Sequence, residues 1–270
     1  TADLIVTPGS HRFGVDWKGL ALDTPIPTPE GFVPMGCLKV GDMVFDMHGT
    51  PTRVIGVSEI KNLDCYEVRF RNGETITCDA EHLWTLSDGS VVGVRDLARG
   101  DLIPVAAPLE ERYTVPPPMD PWVLGFWLGD GNRSRGEVTK AEDSRCWQEF
   151  ERLGYELGKI QRDPRSQRSV TRAIKGLAVP LRGCGQLKNK HIPTDILRWS
   201  VEDRQRFVQG FCDSDGSWNP QRGQAVWSQV DTEIADGFFA VLCSLGEKPY
   251  RWSHDASGFG LTVREYRVVW

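Results

Sequence analysis

Two aspartates, Asp130 and Asp215, end two stretches of the sequence that repeat one pattern. Residues 125–131 read GFWLGDG and residues 210–216 read GFCDSDG, and an apolar run leads into both. Two carboxylates brought together can share divalent cations, which activate a water and neutralise a leaving oxygen in phosphodiester hydrolysis. The repeat therefore predicts a metal-assisted hydrolytic centre between two similar half-domains.

Both stretches are predicted to be helices that pack through small residues. Residues four apart share one face of a helix, which pairs Gly125 with Gly129 and Gly210 with Ser214. Small side chains let two helix backbones approach closely. The aspartates then meet at the C-terminal ends, where the helix dipole is negative and like charges repel, so that a divalent cation would stabilise them. The alternative, a plain helix-ending turn at each Asp-Gly, suits one copy better than two.

The composition is typical of a soluble globular protein, with 40% hydrophobic and 26% charged residues. No apolar run approaches the roughly 18 residues that span a membrane. The first residues, TADLIVTPGSHRFG, lack the order of a secretion signal. Seven cysteines without a Cys-x-x-Cys pair favour reduced thiols over disulfides or a zinc site. We expect a cytoplasmic protein of prokaryotic or phage origin.

The net charge of −5 hides an uneven distribution. Residues 1–110 contain 9 basic and 16 acidic residues, whereas residues 111–270 contain 23 and 21. Within the second part, residues 159–198 contain 10 basic residues and two acidic ones. This segment is either a solvated basic face or a stripe that follows a phosphate backbone.

The hydrophobic period divides the chain into two domains of different class. Alternating apolar and polar residues with His48-Gly49, Asn72-Gly73 and Asp88-Gly89 turns predict β structure before the proline-rich connector APLEERYTVPPPMDP. Helical periodicity follows in SRCWQEFERLGYEL and in DTEIADGFFAVLCSLG, where Asp231 is the predicted N-cap. We therefore predict an α+β protein with a flank, an all-β domain, and a domain of two half-domains, at 1–18, 19–110, and 111–270 (about 115–200 and 201–270).

The motifs VLGFWLGDG and VQGFCDSDG resemble the two motifs of a single-chain LAGLIDADG homing endonuclease, over about residues 115–270. The resemblance implies a pseudo-twofold αββαββ fold. It also implies that two or three Mg²⁺ ions are shared between Asp130 and Asp215, with Gly129 and Ser214 beside them in the metal site. In KNKHIPTDILRWS, the resemblance makes Lys190 the catalytic basic residue.

The same resemblance implies a double-stranded DNA substrate. The half-domains of a monomer would lay β-ribbons in the major groove. Asp213, where the first motif has Leu128, is expected to be structural or to lie behind the metal site. The second-half counterpart of Lys190 stays open among Lys248, Arg264 and Arg267. The expected DNA contacts come from the basic segment: Arg162, Arg165, Arg168, Arg172 and Lys188.

The stretches LALDTPIPTPEGFVPMGCLKVGDMVFDMHGTPTRV and TCDAEHLW resemble the opening blocks of an intein, the self-splicing Hint fold. The resemblance makes His82 the histidine that assists the first acyl shift, with Asp79 at a position often taken by threonine. The first intein residue falls on Gly19, which has no nucleophile for that shift.

The other end of the splicing module is also missing from this sequence. The chain stops at YRVVW without a His-Asn pair or returning Hint strands. We therefore expect a site-specific DNA endonuclease attached to a splicing module that is inactive or incomplete here, which a separate C-terminal intein fragment could complete. The alternatives are a splicing element with a degenerate, non-cleaving endonuclease domain, and a regulator that binds DNA without cutting it.

Overall fold

The computed structural model describes residues 19–60, 62–110, 114–162, 164, 168–258 and 261–270. The chain forms two compact units. The first comprises residues up to Val115 together with Thr194–Val201 and Leu242–Arg251. The second comprises the remainder: Pro116–Pro193, Glu202–Val241 and Trp252–Trp270. The predicted flank 1–18 lies outside the described residues. The sequence instead predicts that Thr194–Val201 and Leu242–Arg251 belong to the second domain.

The described part of the first unit up to Val115 is built from short antiparallel hairpins. The turns predicted at Gly49, Gly73 and Gly89 are present, with φ of 75°, 88° and 83°, a left-handed conformation that glycine adopts without strain. The strands pair in sequence order as β1–β2, β3–β4, β5–β6 and β7–β8. Their bounds are β1 Pro25–Thr28, β2 Gly31–Pro34, β3 Met43–Phe45, β4 Pro51–Arg53, β5 Cys65–Arg69, β6 Thr75–Asp79, β7 Leu83–Thr85 and β8 Val91–Gly93.

Two small apolar clusters hold these hairpins together. One contains buried Cys78, Trp84, Val94 and Ile103. The other contains Ile26, Val44 and Val54. Leu20 packs against both clusters and so connects them. Alternating residues on short strands, each with one buried face, explain why the sequence pattern predicted β structure here.

The expected αββαββ order is complete in residues 201–269 and is present in residues 121–183 with one strand reduced to a bridge, and the overall class is α+β as predicted. The first-half elements are α1 Pro121–Asp130, β9 Glu137–Ala141, α2 Cys146–Arg152, β10 Gln161–Arg162, β11 Ser169–Ala173 and α3 Ala178–Gly183. The second-half elements are α4 Val201–Asp215, β12 Gly216–Asn219, β13 Gln224–Gln229, α5 Thr232–Ser244, β14 Tyr250–Gly258 and β15 Leu261–Val269.

The two sheets of this unit share one strand order. The second half has the order β12-β13-β15-β14. The first half has the order β9-β11-β10. In place of a first strand it has a single bridge between Gly131 and Val138 of β9. The corresponding pair in the second half joins Gly216 and Trp227. The two pairs therefore align β9 of the first half with β13 of the second half, residue by residue.

Each half of the second unit has an aromatic core beneath its sheet. In the first half, the Trp122 ring lies 5.0 Å from Phe126 and 5.2 Å from Phe150. In the second half, the Phe211 ring lies 4.6 Å from Trp227, and Phe238 lies 5.1 Å from Phe211. Three of these contacts are edge-to-face and the Trp122–Phe126 pair is tilted, and aromatic contacts at such distances add to the free energy of burial.

No helix among the described residues is long and apolar enough to cross a membrane. The seven cysteines, all within the described ranges, are free thiols.

Candidate active site

Helices α1 and α4 touch through the small residues of the two motifs. The Asp120 side chain caps α1 by accepting from the Val123 amide at 3.1 Å, which satisfies a free N–H of the first turn. Further along, a Cβ at Gly125 would overlap the carbonyl oxygen of Phe207, and a Cβ at Gly129 would overlap the Ser214 side chain. The predicted glycine-mediated helix packing is therefore present.

The packing brings Asp130 and Asp215 to the same end of the helix pair. Each is the last residue of its helix. The Asp215 carboxylate lies so close to the first motif that a Cβ at Gly129 would sit 2.9 Å from its Oδ2. Burial raises the pKa of Asp215 to about 6, and the negative charge of Asp130 raises it further. Burial also raises the pKa of Asp130, although Lys140 and Lys190 oppose the shift.

Lys190 reaches the first motif from the loop that follows α3. Its Nζ donates to the carbonyl oxygens of Leu128 at 2.9 Å and Gly129 at 3.1 Å, and it lies 4.9 Å from the centre of the Trp127 ring. Burial lowers the pKa of Lys190 to about 8, while the aspartates oppose that shift. The residue named from the KNKHIP segment thus lies beside the paired carboxylates.

Lys140 is a site residue that the sequence reasoning missed. It lies on β9, and its Nζ donates to Asp130 Oδ2 at 2.5 Å and to the carbonyl oxygen of Ser214. One ammonium therefore joins the first motif to the second. Strand periodicity in EVTKA places Lys140 on the same face as buried Val138, and this was the signal available in the sequence.

Two of the open candidates for a second-half basic residue pair with other residues. Lys248, the third, belongs to the first unit. Arg264 donates to Asp255 and Ser253. Arg267 donates to Glu265 and lies 5.2 Å from the Trp252 ring. In the described part of the chain, the lysines that donate to the paired motifs, Lys140 and Lys190, both come from the first half.

Asp213 has the supporting position expected of it. Its Oδ2 accepts a hydrogen bond from Trp122 Nε1 at 2.8 Å. The bond ties the last turn of α4 to the first turn of α1. Asp213 therefore holds the helix pair, while Asp215 faces the other motif.

The oxygen atoms at the helix ends suit a hard divalent cation. Mg²⁺ is commonly bound by one or two carboxylates, with other positions filled by waters and substrate phosphates. Asp130 and Asp215 supply the carboxylates, and the carbonyls of Gly129 and Ser214 lie beside them. Among the described residues no cluster of three or more His, Cys, Asp or Glu side chains exists. The residues present fit a cation shared with a phosphate better than an all-protein metal cage.

The expected DNA contacts lie in different settings. Arg162 forms an ion pair with Glu142 at 2.7 Å, and Arg172 donates to the carbonyl of Gly158 at 3.0 Å. Both are paired across the sheet with buried valines, Val170 and Val138 respectively. Directly paired residues share one sheet face, so these arginines lie on the side that packs against the core.

Two of the remaining predicted contacts are exposed, as Arg162 also is. Arg168 is exposed at the start of β11. Lys188 has φ of 66°, and its amide donates to the Arg133 carbonyl at 2.6 Å. Arg165 lies outside the described residues. The sheet face opposite the core carries Thr139 and Thr171, whose hydroxyls are 2.7 Å apart.

In the first unit, the residues named for splicing lie together. The Gly19 amide donates to the Asp79 carboxylate, and the Asp79 carbonyl accepts from the His82 amide at 3.3 Å. The buried His82 ring packs 5.2 Å from the Trp84 ring. The backbone amide at position 19, where an intein has its first nucleophile, is therefore bound by the Asp79 carboxylate. Gly19 itself has no side chain that could attack the preceding carbonyl.

Known proteins similar to this chain include DnaB helicases and inteins. No protein-family model matches the chain. The replicative DNA helicase DnaB of Mycobacterium intracellulare is 29% identical over 282 residues, covering 91% of this chain and 45% of that protein. This chain therefore spans less than half the length of that curated relative. The crystal structure of a variant MchDnaB-1 intein is 41% identical, covering 33% of this chain and 69% of that chain, with a TM-score of 0.31.

The solved structures similar to this chain also include a homing endonuclease. A variant of I-DmoI, in complex with its target DNA and in the presence of manganese, is 12% identical and covers 56% of this chain and 86% of that chain, with a TM-score of 0.37. The function of the second unit is therefore argued from its paired helices and carboxylates.

Proposed function

We propose that this chain, which belongs to the inteins and carries the paired motif helices of a LAGLIDADG fold, is an intein-encoded endonuclease that cuts double-stranded DNA at a specific site. The observation that carries the proposal is the meeting of Asp130 and Asp215 at the ends of two helices in glycine-mediated contact. Two partly buried carboxylates of like charge, with lysines beside them, suit hydrolysis of a phosphodiester with divalent cations.

The residues of the chain would divide the work of hydrolysis. Asp130 and Asp215 would hold Mg²⁺, whose chemistry is to lower the pKa of a water and offset the charge of the leaving oxygen. Lys190 is fixed by the Leu128 and Gly129 carbonyls. From there its ammonium can stabilise charge developing on the phosphate. The small residues of the interface keep the two carboxylates close enough to act on one duplex.

We further propose that the DNA lies against the sheet faces opposite the core. Thr139 and Thr171 of the first half lie on that face. Arg267 and Trp252 form a stacked pair in the second-half sheet. Hydroxyls, guanidinium groups and aromatic rings can read base edges and methyl groups in the major groove. Arg168 and Lys188 would then contact phosphates, which position the duplex without reading its sequence.

The host protein that we propose is a replicative DNA helicase of the DnaB type, because the match to DnaB extends over most of this chain. The first acyl shift of splicing would not occur, since Gly19 lacks a nucleophile. A separate C-terminal intein fragment remains a proposed partner. The monomer would hold both cleavage centres, because the duplicated halves replace the two subunits of a dimer.

Cleavage of a DnaB gene that lacks the intein is the direct test. The supercoiled gene and a randomised duplex library would be incubated with Mg²⁺, with Ca²⁺ as the matched non-catalytic cation. We expect discrete cuts with the wild type and none with Asp215→Asn. Asp213→Asn is the control, because an amide oxygen can still accept from Trp122 Nε1, and it should keep cutting.

A folded wild-type protein that binds the gene tightly and leaves it intact in Mg²⁺ and Mn²⁺ would contradict the nuclease and support the DNA-binding alternative. Equal loss of cutting in the two asparagine variants would show that the control position is itself essential.

A further inference from the structure

We propose that Lys140 is the internal counter-cation of the two motif aspartates, and that a divalent cation entering the site takes its place on Asp130. The inference rests on the proposed function, because it concerns the same metal site. It assigns a role to a residue that neither motif contains.

The contacts of Lys140 are those expected of a bound cation. Its ammonium bridges Asp130 Oδ2, at 2.5 Å, and the Ser214 carbonyl oxygen, so it touches one oxygen from each motif. The Lys140 and Asp130 side chains are 24% and 22% exposed, so the ion pair is largely shielded from water. A cation that ligates both Asp130 and Ser214 must therefore compete with this ammonium.

The other carboxylate of the pair is available without such competition. Among the described residues Asp215 forms no side-chain hydrogen bond or ion pair, and its raised pKa reflects burial and the charge of Asp130. Lys140 and Lys190 act on it only through space. An entering cation can contact Asp215 at once but reaches Asp130 only when Lys140 withdraws.

The first half of the duplicated unit supplies the counter-cation. The pairs Gly131–Val138 and Gly216–Trp227 are equivalent. The residue two positions after Val138 is Lys140, and the residue two positions after Trp227 is Gln229. The Gln229 Oε1 accepts from the Val230 amide at 2.9 Å. The substitution Lys140→Gln therefore gives the first half the side chain that the second half already carries.

The competition can be measured without DNA by titrating Ca²⁺ into the wild-type chain and three variants in a calorimeter. Lys140→Gln should bind Ca²⁺ about tenfold more tightly, equivalent to about 1.4 kcal/mol. Lys140→Arg keeps the positive charge and should bind as weakly as the wild type. Lys175→Gln is the matched control, because it removes the same charge from an exposed lysine of the same half that pairs with Glu156. It should change the affinity by less than about threefold.

A second measurement uses the wild-type chain and does not depend on variants that fold. Lysine acylation read by mass spectrometry should show Lys140 reacting faster when Ca²⁺ is added, since its ammonium leaves Asp130. Lys175, which pairs with Glu156, should react at the same rate with and without Ca²⁺.

Three results would overturn the inference: unchanged or weaker Ca²⁺ binding in Lys140→Gln, equal effects of the two glutamine variants, or no Ca²⁺-dependent change in Lys140 reactivity. The absence of Ca²⁺ binding in every protein would do the same. Failure of the nuclease is separate, because it would appear as intact DNA while these titrations still report on Lys140.

Discussion

Gly210 of helix α4 lies against the backbone carbonyl of Trp122 in helix α1, where no space remains for a side chain. The same two helices meet again at Gly125 and at Gly129. This row of backbone contacts fixes how far apart the last residues of the helices lie. The separation of Asp130 and Asp215 is therefore set by glycines several residues away.

Gly210→Ala should destabilise the protein by about 3 kcal/mol or more, because the helices must separate to admit a methyl group. The free energy of unfolding in urea measures this cost. The control is Gly183→Ala in α3, where a Cβ would meet no atom within 4 Å. That variant should lie within about 1 kcal/mol of the wild type. A Gly210→Ala protein of wild-type stability would contradict the close packing.

The pKa of Asp215, raised to about 6 by burial, predicts a pH dependence of stability. Between pH 3.8, the ordinary pKa of an aspartate, and about pH 6, the Asp215 carboxyl holds a proton in the folded chain that it has lost in the unfolded chain. The contribution of Asp215 to stability therefore falls as the pH rises through this window.

Melting temperatures in a chelator between pH 4.5 and 8 test this sign. Asp215→Asn should be more stable than the wild type near pH 7, and the difference should shrink toward pH 4.5. A constant difference between the two proteins across that range would show that the carboxyl titrates normally.

The same proton should compete with metal ions. Mn²⁺ can bind Asp215 only after the carboxyl has lost its proton. Since the pKa of Asp215 is about 6, we expect the Mn²⁺ affinity to rise steeply between pH 5 and 7 and to level off above that. Calorimetric titration across this range measures it, with Asp215→Asn as the comparison. An affinity that is flat from pH 5 to 7 would exclude Asp215 as a ligand.

Lys190 should influence the rate of cleavage more than the binding of DNA. Burial lowers the pKa of Lys190 to about 8, so the ammonium loses its charge within the working range of a nuclease assay. We expect Lys190→Met to lower kcat by roughly 100-fold with little change in the KM for DNA. The wild-type rate should change slope near pH 8, and the variant should lack that change. An identical pH profile for both proteins would remove Lys190 from the chemical step.

Gly19→Cys should restore a nucleophile to the splicing module. The amide of residue 19 is held by Asp79, and a Cβ there would lie 3.1 Å from the Asp79 Oδ2, which requires only a small shift. We expect dithiothreitol to release residues 1–18 from this variant and to leave the wild type intact, as seen by intact-mass spectrometry. Adding His82→Ala should slow the release. A Gly19→Cys protein that resists the thiol would show that more than the nucleophile is missing.

The sequence by itself determined the motif helices, their small-residue faces and the positions of Asp130 and Asp215. These features follow from local periodicity, because residues four apart share a helix face whatever surrounds them. The turns at Gly49, Gly73 and Gly89 were predictable for the same reason, since a left-handed φ favours glycine.

The tertiary structure alone decided which distant groups meet these residues. Lys140 reaches Asp130 through the register of a strand, and Trp122 finds Asp213 across 91 positions of sequence. Charge alone predicts Arg162 and Arg172 as DNA contacts, but pairing with buried valines places them on the core side of the sheet. Charge and spacing can be read directly from the sequence. Strand register depends on contacts between segments far apart in the chain, and no local pattern specifies those contacts.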